Sequence, residues 1–368
     1  MVEWKELKEV FDTRNGYTPS TSNETFWEGG NIPWFKMEDL RDNGGILNDS
    51  YLHITEKAIK GKGLFKANSI LLATSATIGE HALIEVEHLS NQRFTNFYPK
   101  KEYEQIINMR YAYYYMFIID EWCKQHVNQG GFASVDMSGL YKHPFPIPSI
   151  SEQERIVDIL DTFTSAIDNL KQQIAQRRKQ YEYYRDQLLD LEGKEGVEMK
   201  TLGESCLIRT GSKPAEILDK GRYCYINAGT TESGYVNESN CDCDVVTTPS
   251  RGQGGIGFVG YQRNDFWLGP LCYQIRPNKK ENFKSKYLFY YLSSHSEEIL
   301  KYKSEGGTPA VNAVDLKKIQ IHLPPLQEQQ RIVSILDTFE ASIQNLEAQL
   351  SQREKQYEYY RNKLLTFE

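Results

Sequence analysis

Two short stretches carry residue types that could do chemistry. Cys241 and Cys243 lie close together in NCDCD, and paired cysteines can bind zinc, but the usual spacing is C-x₂₋₄-C with a second pair of ligands elsewhere. The run RGQGGIGFVG (251–260) is rich in glycine, like a dinucleotide-binding loop, but it opens no helix and no acidic residue follows at the required distance. We therefore expect free thiols, and a turn between two strands.

Motifs of catalytic sites are missing from the chain. There is no N/D-P-P-Y/F loop of a methyltransferase, since the only Pro-Pro pair is Pro324-Pro325 in LPPL. No GxxxxGK[ST] phosphate loop occurs, and the seven histidines show no H-E-x-x-H spacing. The sequence therefore predicts no catalytic residue, no metal site and no cofactor bound by the chain itself.

Composition and charge set further bounds. The chain has 368 residues, of which 39% are hydrophobic, as expected for a packed protein of about two or three domains. It has no apolar run near the ~20 residues of a membrane span, and its start, MVEWKELKEV, has no signal-peptide pattern, so we expect a cytoplasmic location. The net charge is −7 and no region is strongly basic. Binding of nucleic acid would therefore depend on a local basic face or on a partner subunit.

A long internal repeat predicts the helices that support these loops. KQYEYYR occurs at 179–185 and again at 355–361, and the match extends over 150–192 and 326–368, with 26 of 43 residues identical. Apolar residues alternate steps of four and three in both copies, with one break at Arg177 and Arg353. This is the a/d seam of a coiled coil, and each copy predicts a helix about 60 Å long. Ser151 and Glu154 have the spacing of a capping box at the start of the first helix.

Each predicted helix needs a partner, and the obvious partner is the other copy. Generic coiled-coil strands for oligomerisation would share the same periodicity. However, surface positions of the two copies match as well, which favours one binding surface presented twice. The residues predicted to form this docking surface are Glu152, Gln153 and Arg155 in the first copy and Glu328, Gln329 and Arg331 in the second.

Each helix follows a segment of domain size, giving the order 1–149, 150–192, 193–325 and 326–368. The third segment opens with a hinge at 193–196, and the second globular segment is 19 residues shorter than the first. We expect short strands, including ones within 69–79 and 91–100, and helices over 102–122 and 282–303. The many tyrosines of these two helices are expected in the core.

Several stretches together identify a family resemblance. The chain resembles, over its whole length, the specificity (S) subunit of a Type I restriction–modification system. The stretches that carry the resemblance are FWEGGNIPWFKMEDL (26–40), LLATSATIGEHALI (71–84), GGFASVDMSGLYKHPFPIPSISEQERIVDILD (130–161) and GGTPAVNAVDLKKIQIHLPPLQEQQRIVSILD (306–337). The second globular segment departs from the pattern, because YCYINAGTTESGYV (223–236) stands where IPWFKMEDL would be expected.

The resemblance implies an α+β fold in which two α/β target recognition domains alternate with two long helices, paired as an antiparallel coiled coil with pseudo-twofold symmetry. It also implies that each domain reads one half of a bipartite double-stranded DNA site. The helices would set the gap and dock two adenine methyltransferase (M) subunits, and restriction (R) subunits would then join. S-adenosylmethionine and ATP would bind to these partners, and the chain itself would catalyse nothing. The alternative is a coiled-coil interaction scaffold with no DNA role.

Contacts to DNA phosphates and bases are expected from Lys, Arg, Gln, Asn, Ser and Thr side chains in loops. SATIG (75–79) and the glycine-rich run at 251–260 are predicted to be loops at the DNA face. The candidates are Lys36, Ser75, Thr77, Gln92 and Arg93 in the first globular segment and Asn227, Arg251, Gln253 and Arg263 in the second.

Overall fold

The computed structural model describes residues 2–128, 133–252, 255–279, 281–304 and 309–367. The chain forms two compact units, the first of Met1–Asn169 with Leu350–Glu368 and the second of Leu170–Gln349. Each unit therefore contains one globular segment and a part of each long helix. The globular segments are called head 1 (residues 1–149) and head 2 (residues 193–325) below.

The described residues of head 1 form short strands and four α-helices before the first long helix begins. The strands are β1 (Glu3–Glu6), β2 (Phe11–Asn15), β3 (Ile32–Phe35), β4 (Ile46–Leu47), β5 (His53–Ile54), β6 (Ser69–Ala73), β7 (His81–Ile84), β8 (Leu89–Ser90), β9 (Phe94–Pro99), β10 (Val127–Asn128), β11 (Ser134–Val135) and β12 (Pro144–Ile147). The helices are α1 (Leu7–Val10), α2 (Met37–Asn43), α3 (Met109–Gln125), α4 (Met137–Lys142) and the long α5 (Ile150–Leu189).

Head 2 follows the same plan and leads into the second long helix. The strands are β13 (Glu198–Thr201), β14 (Cys206–Thr210), β15 (Tyr223–Ile226), β16 (Tyr235–Val236), β17 (Val245–Pro249), β18 (Gly260–Gln262), β19 (Trp267–Leu268), β20 (Cys272–Pro277) and β21 (Gln320–Leu323). The helices are α6 (Leu202–Ser205), α7 (Ser285–Ser294), α8 (Ser296–Leu300), α9 (Ala313–Leu316) and the long α10 (Leu326–Leu365).

The main sheet of head 1 has the strand order β2-β9-β6-β7-β4, and a smaller sheet has the order β5-β3-β8. All five residues of β6 (SILLA) are buried, because this apolar strand lies inside the sheet and is covered on both faces. Helix α3 packs on the main sheet. Tyr111 and Tyr114 of α3 are buried, as are Tyr287 and Tyr290 of α7, so the prediction that these tyrosines are core residues is confirmed.

Two predicted helices have different limits in the structure. The first begins at Met109 rather than 102, because the side chain of Asn108 accepts hydrogen bonds from the backbone N–H groups of Arg110 and Tyr111 and so caps it. The second, predicted over 282–303, is divided into α7 and α8 at His295.

Among the described residues, the main sheet of head 2 has one strand fewer than that of head 1. This sheet has the order β14-β20-β17-β18, and the smaller sheet of head 2 has the order β16-β15-β19. Residues 227–234 connect β15 directly to β16, where head 1 uses residues 36–52 to form α2 and β4. Part of the difference in length between the heads therefore lies in this connection.

The two long helices pack antiparallel within each unit. In the first unit, Phe163 of α5 stacks on Tyr360 of α10 with ring centroids 5.3 Å apart. In the second unit, Tyr184 of α5 stacks on Phe339 of α10 at 5.5 Å. One tyrosine of each KQYEYYR copy thus stacks on a phenylalanine of the other long helix, and Tyr183 and Tyr359 are exposed. The predicted seam is confirmed by the buried side chains of Ile156, Leu160, Ile167, Ile174, Ile332 and Leu336.

The break in each seam is filled by an arginine over an aromatic ring. The guanidinium of Arg177 lies 5.8 Å from the ring centroid of Phe339, and that of Arg353 lies 5.8 Å from the ring of Phe163. Both are cation–π contacts. The interruption of the apolar pattern therefore has the same structural role in both units.

The start of α5 differs from its predicted cap. The helix begins at Ile150, and the carbonyl of Ser149 accepts hydrogen bonds from the backbone N–H groups of Glu152 and Gln153. Ser151 consequently lies inside the first turn, so the predicted Ser151–Glu154 capping box is wrong.

No helix among the described residues combines the length and apolar character of a membrane span.

Candidate nucleic-acid interface

One end of the main sheet of head 1 collects several loops. Strand β6 ends where β9 begins, with Ala73 opposite Phe94, and β2 ends beside β9, with Asn15 opposite Thr95. Backbone hydrogen bonds tie the loops together, including one of 3.0 Å from the N–H of Thr74 to the carbonyl of Arg93. This end of the sheet, comprising residues 16–18, 36, 74–80 and 91–93, is called loop edge 1.

All five candidates of head 1 lie at loop edge 1. Gln92 and Arg93 are exposed, and Gln92 accepts a hydrogen bond of 2.6 Å from the hydroxyl of Thr18. Lys36 directly follows β3, whose last carbonyl accepts a 3.0 Å hydrogen bond from the N–H of Asn91. Ser75 and Thr77 are half-buried in the turn after β6. Residues distant in sequence thus form one polar surface, and their side chains are of the types that contact nucleic acid.

Head 2 has an equivalent end, called loop edge 2, formed by residues 211–212, 227, 250–252 and 269–271. Asn227 follows β15 and its side-chain oxygen accepts a 2.9 Å hydrogen bond from the N–H of Leu271. Arg251 follows β17, pairs with Ala310 in an isolated bridge and is exposed. Asn227 occupies the position of Lys36 and Arg251 that of Ser75, because each follows the corresponding strand.

The connection from β17 to β18 contains the glycine-rich run, which therefore lies between strands as predicted. Gln253, a predicted contact in this run, lies outside the described residues.

Arg263 is not part of loop edge 2. It follows β18, and since Gln262 pairs with Val245 at the start of β17, Arg263 lies at the opposite end of the sheet from Arg251. Its guanidinium is 3.6 Å from the carboxylate of Glu340 on α10. Grouping Arg263 with Asn227 and Arg251 was wrong, because the antiparallel register reverses the chain between them.

Two of the predicted docking residues are internal. Gln153 and Gln329 are fully buried. The side-chain oxygen of Gln153 accepts from the N–H of Asn108 at 2.8 Å, and its amide nitrogen donates to the carbonyls of Ile106 and Pro148, both at 2.9 Å. Assigning Gln153 to a docking surface was therefore wrong.

Gln329 repeats this arrangement. Its side-chain oxygen accepts from the N–H of Lys284 at 3.0 Å, and its amide nitrogen donates to the carbonyls of Asn282 at 3.0 Å and Pro324 at 2.8 Å. Its assignment to a docking surface was wrong for the same reason: the amide satisfies buried backbone groups where the head joins its helix.

The other docking candidates form matched ion pairs on the helix surface. Arg155 Nη2 lies 2.6 Å from Glu152 Oε1, and Arg331 Nη2 lies 2.7 Å from Glu328 Oε1. Hydrogen bonds from the arginines lower the pKa of Glu152 and of Glu328. Both arginines are exposed, so the same charged pair is presented once in each unit.

A basic loop of head 1 was missed. Residues 55–68, called the lysine loop, contain Lys57, Lys60, Lys62 and Lys66. The signal was a dense local run of lysine, which disappears when charge is summed over the whole acidic head. Tyr17 of loop edge 1 contacts this loop, since its hydroxyl donates to the carbonyl of Ala58 at 3.0 Å.

The cysteine pair shows no grouping suited to a metal. Cys241 is buried, and its thiol donates to the side-chain oxygen of Gln274 at 2.7 Å. Burial raises the pKa of the Cys241 thiol. Within the described ranges, no three His, Cys, Asp or Glu side chains are grouped so that they could hold a metal ion.

Comparison with known proteins agrees with this architecture. The model of the Type I restriction modification DNA specificity domain matches residues 1–177 and 194–354. The chain is 36% identical over 360 residues to the type I restriction enzyme EcoprrI specificity subunit of Escherichia coli, covering 92% of this chain and 88% of that protein. It is 28% identical over 402 residues to a putative type I restriction enzyme specificity subunit of Haemophilus influenzae, covering 100% of this chain and 96% of that protein.

Solved structures share the fold. The crystal structure of the S subunit of a type I restriction–modification system from M. genitalium superposes with a TM-score of 0.66 at 18% identity, covering 100% of this chain and 97% of that one. A chain from a structural study of assembly and conformational transition of the type I system superposes with a TM-score of 0.63 at 17% identity, covering 99% and 96%. The α+β architecture with two long helices is therefore that of known S subunits.

Proposed function

The chain belongs to the family of type I restriction–modification specificity subunits, and from this premise we propose that each head reads one half of a bipartite double-stranded DNA site. The observation that carries the proposal is the pair of loop edges, one in each head, built on the same strand order. At each edge, polar side chains project from loops held by hydrogen bonds to a rigid sheet. Side chains of this kind position a protein on phosphates and read base edges.

We propose that α5 and α10 set the number of base pairs between the two half-sites. Each helix has 40 residues and is continuous, so it spans about 60 Å. The buried Gln153 and Gln329 support this role, because each holds its head on the start of its own helix. A flexible joint would accept half-sites at several spacings.

The same helices are proposed to dock two adenine methyltransferase subunits, one on each repeated surface. The matched pairs Glu152–Arg155 and Glu328–Arg331 support this proposal, since equal charged surfaces suit two copies of one partner. Restriction subunits would join this complex. We propose that S-adenosylmethionine and ATP bind to the partners, and that this chain contributes recognition and no catalytic step.

The test is to co-express the chain with the methyltransferase subunit of its own system and to map methylated adenines across the host genome. We expect one two-part motif with a fixed gap. Replacing residues 1–149 with the first head of a relative is expected to change one half of the motif and leave the other half and the gap unchanged. Lack of methylation together with failure to co-purify would contradict the proposal and favour a scaffold without a DNA role.

A further inference from the structure

The lysine loop has no counterpart of the same charge in head 2. It connects β5 to β6 and contains four lysines and one glutamate. The equivalent connection in head 2, residues 237–244 between β16 and β17, contains one glutamate, two aspartates and no basic residue. The two connections therefore carry opposite charge at the same place in the fold.

The lysine loop is held in place by Tyr17 of loop edge 1 and by Arg14 of β2. The hydroxyl of Tyr17 accepts a hydrogen bond of 2.9 Å from the N–H of Lys60. The guanidinium of Arg14 lies 4.3 Å from the ring centroid of Phe65 and donates to the carbonyls of Gly63 and Leu64. Phe65 is buried. The loop is thus a built structure, anchored at both its middle and its end.

Its backbone presents the lysines outward. Gly61 and Gly63 have φ values of +58° and +79°, a left-handed conformation that glycine adopts without strain. These turns place Lys62 at the tip of the loop, between the two glycines. Lys57, Lys60 and Lys62 are all exposed.

The positive charges of these three lysines are not neutralised by ion pairs among the described residues, although Lys60 Nζ lies 5.7 Å from the ring centroid of Tyr17, a cation–π contact. Lys66 pairs with Glu104 at 3.1 Å and lies over the ring of Tyr98. Among the described residues, by contrast, Lys57, Lys60 and Lys62 have no acidic partner within 4.0 Å. Three uncompensated positive charges therefore lie on an anchored loop that packs on Tyr17, next to Thr18 and its partner Gln92.

We propose that the lysine loop binds backbone phosphates of the DNA beside the half-site of head 1, and that head 2 has no such arm. The inference rests on the proposed DNA-reading function and adds an asymmetry to it. Lysine suits this role as a mobile point charge that binds phosphate without reading sequence. An acidic surface of a partner protein would also attract the loop, but its attachment to loop edge 1 favours DNA.

The experiment measures DNA affinity of the complex with the methyltransferase subunit as a function of salt concentration. The variant is K57Q/K60Q/K62Q in the full chain. The control, K101Q/K279Q/K317Q, removes the same charge from exposed lysines at the opposite ends of the sheets from the loop edges. Both variants are compared with the unchanged complex on its own two-part site and on random DNA.

We expect the loop variant to lower the slope of log K against log salt by about 2 to 3, since each phosphate contact contributes about 0.9. Its preference for the specific site over random DNA should be unchanged, and the control should keep the original slope. Equal slopes for the two variants would overturn the proposal. So would loss of co-purification in the loop variant alone, which would assign the loop to the partner protein.

Failure of the proposed function gives a different result. In that case the unchanged complex shows no preference for a two-part site, and the proposal for the loop falls with it. If the unchanged complex prefers its site and only the slopes of the two variants coincide, the DNA-reading function stands and the lysine loop has another role.

Discussion

Heads 1 and 2 share a strand order but differ beside their loop edges. Head 1 inserts α2 and β4 and carries the lysine loop, whereas head 2 makes both connections shorter and the second one acidic. The cores differ as well, and one of the positions that differ lies beside the smaller sheet. His88 precedes β8 in head 1, and Phe266 precedes β19 at the equivalent place in head 2; both are buried. The shared framework is thus confined to the sheet and its joint with the helices, and the loops vary.

The joints themselves are nearly identical. Tyr114 donates a hydrogen bond of 2.5 Å to Asp161 of α5, and Tyr290 donates one of 2.6 Å to Asp337 of α10. Burial raises the pKa of both tyrosines, so their hydroxyls stay protonated and remain donors. Two heads with different loops are therefore held on their helices by the same contacts, as expected if they differ in what they bind but share how they are mounted.

The largest effect is expected from the helix ends. Leu365 of α10 belongs to the core of the first unit and Leu189 of α5 to the core of the second, each 1% exposed. Leu365→Ala should destabilise head 1 by about 2–5 kcal/mol, and Leu189→Ala head 2 by a similar amount, because each leaves a cavity. Hydrogen exchange followed by mass spectrometry checks which head loses protection. Equal loss in both heads for either variant would contradict the division into units.

A smaller effect is expected from lowering the pH, which should destabilise head 1 through His88 and leave head 2 without this loss. His88 lies between Phe35 and Phe65, and burial lowers its pKa from 6.5 to about 4. The folded head keeps His88 neutral, whereas the unfolded chain binds a proton below pH 6.5. This one group therefore costs head 1 about 2 kcal/mol of stability between pH 7 and pH 5, and the loss continues towards pH 4.

The matched variant is His88→Phe, which copies head 2. Urea unfolding of each head, followed by hydrogen exchange at pH 7 and pH 5, should show the acid sensitivity of head 1 reduced in the variant and head 2 unaffected. An unchanged pH dependence of head 1 would assign its acid sensitivity to other groups.

The smallest effect concerns the break in the seam. Arg177→Leu and Arg353→Leu restore an apolar a/d position but remove a cation–π contact worth about 0.5–1 kcal/mol at exposed sites. Each variant should change the free energy of unfolding by no more than about 1 kcal/mol, and by the same amount in both units. Thermal unfolding of the two variants side by side checks this. A clear difference between them would mean that the two seams are not equivalent.

Much of the fold was predictable because its signals are local. The seam depends on residues three and four positions apart, which fix the exposed and buried faces of a helix without knowledge of the rest of the chain. The position of each long helix after a proline-rich junction was also predicted, although the cap of α5 was placed wrongly. The burial of the tyrosines of α3 and α7 was predicted because these helices carry aromatic and aliphatic residues on most of their faces.

Other features depended on contacts between distant residues. Gln153 matches Gln329 in sequence just as the exposed Glu152 matches Glu328, so identity alone could not separate a buried joint from a surface pair. Arg263 has the composition of a loop contact, and only strand register shows that it lies at the far end of its sheet.

The duplication of head and helix could be inferred from residue order alone, because repetition and periodicity are properties of that order. The sequence also identified the family, through motifs such as the two EQxRI-x-x-ILD junctions. Which polar side chains lie at one edge of a sheet could be learned only from the folded structure. Strand pairing brings Lys36, Ser75 and Arg93 to one end of a sheet, where the hydroxyl of Tyr17 holds the middle of the lysine loop. Such pairing depends on hydrogen bonds between segments tens of residues apart.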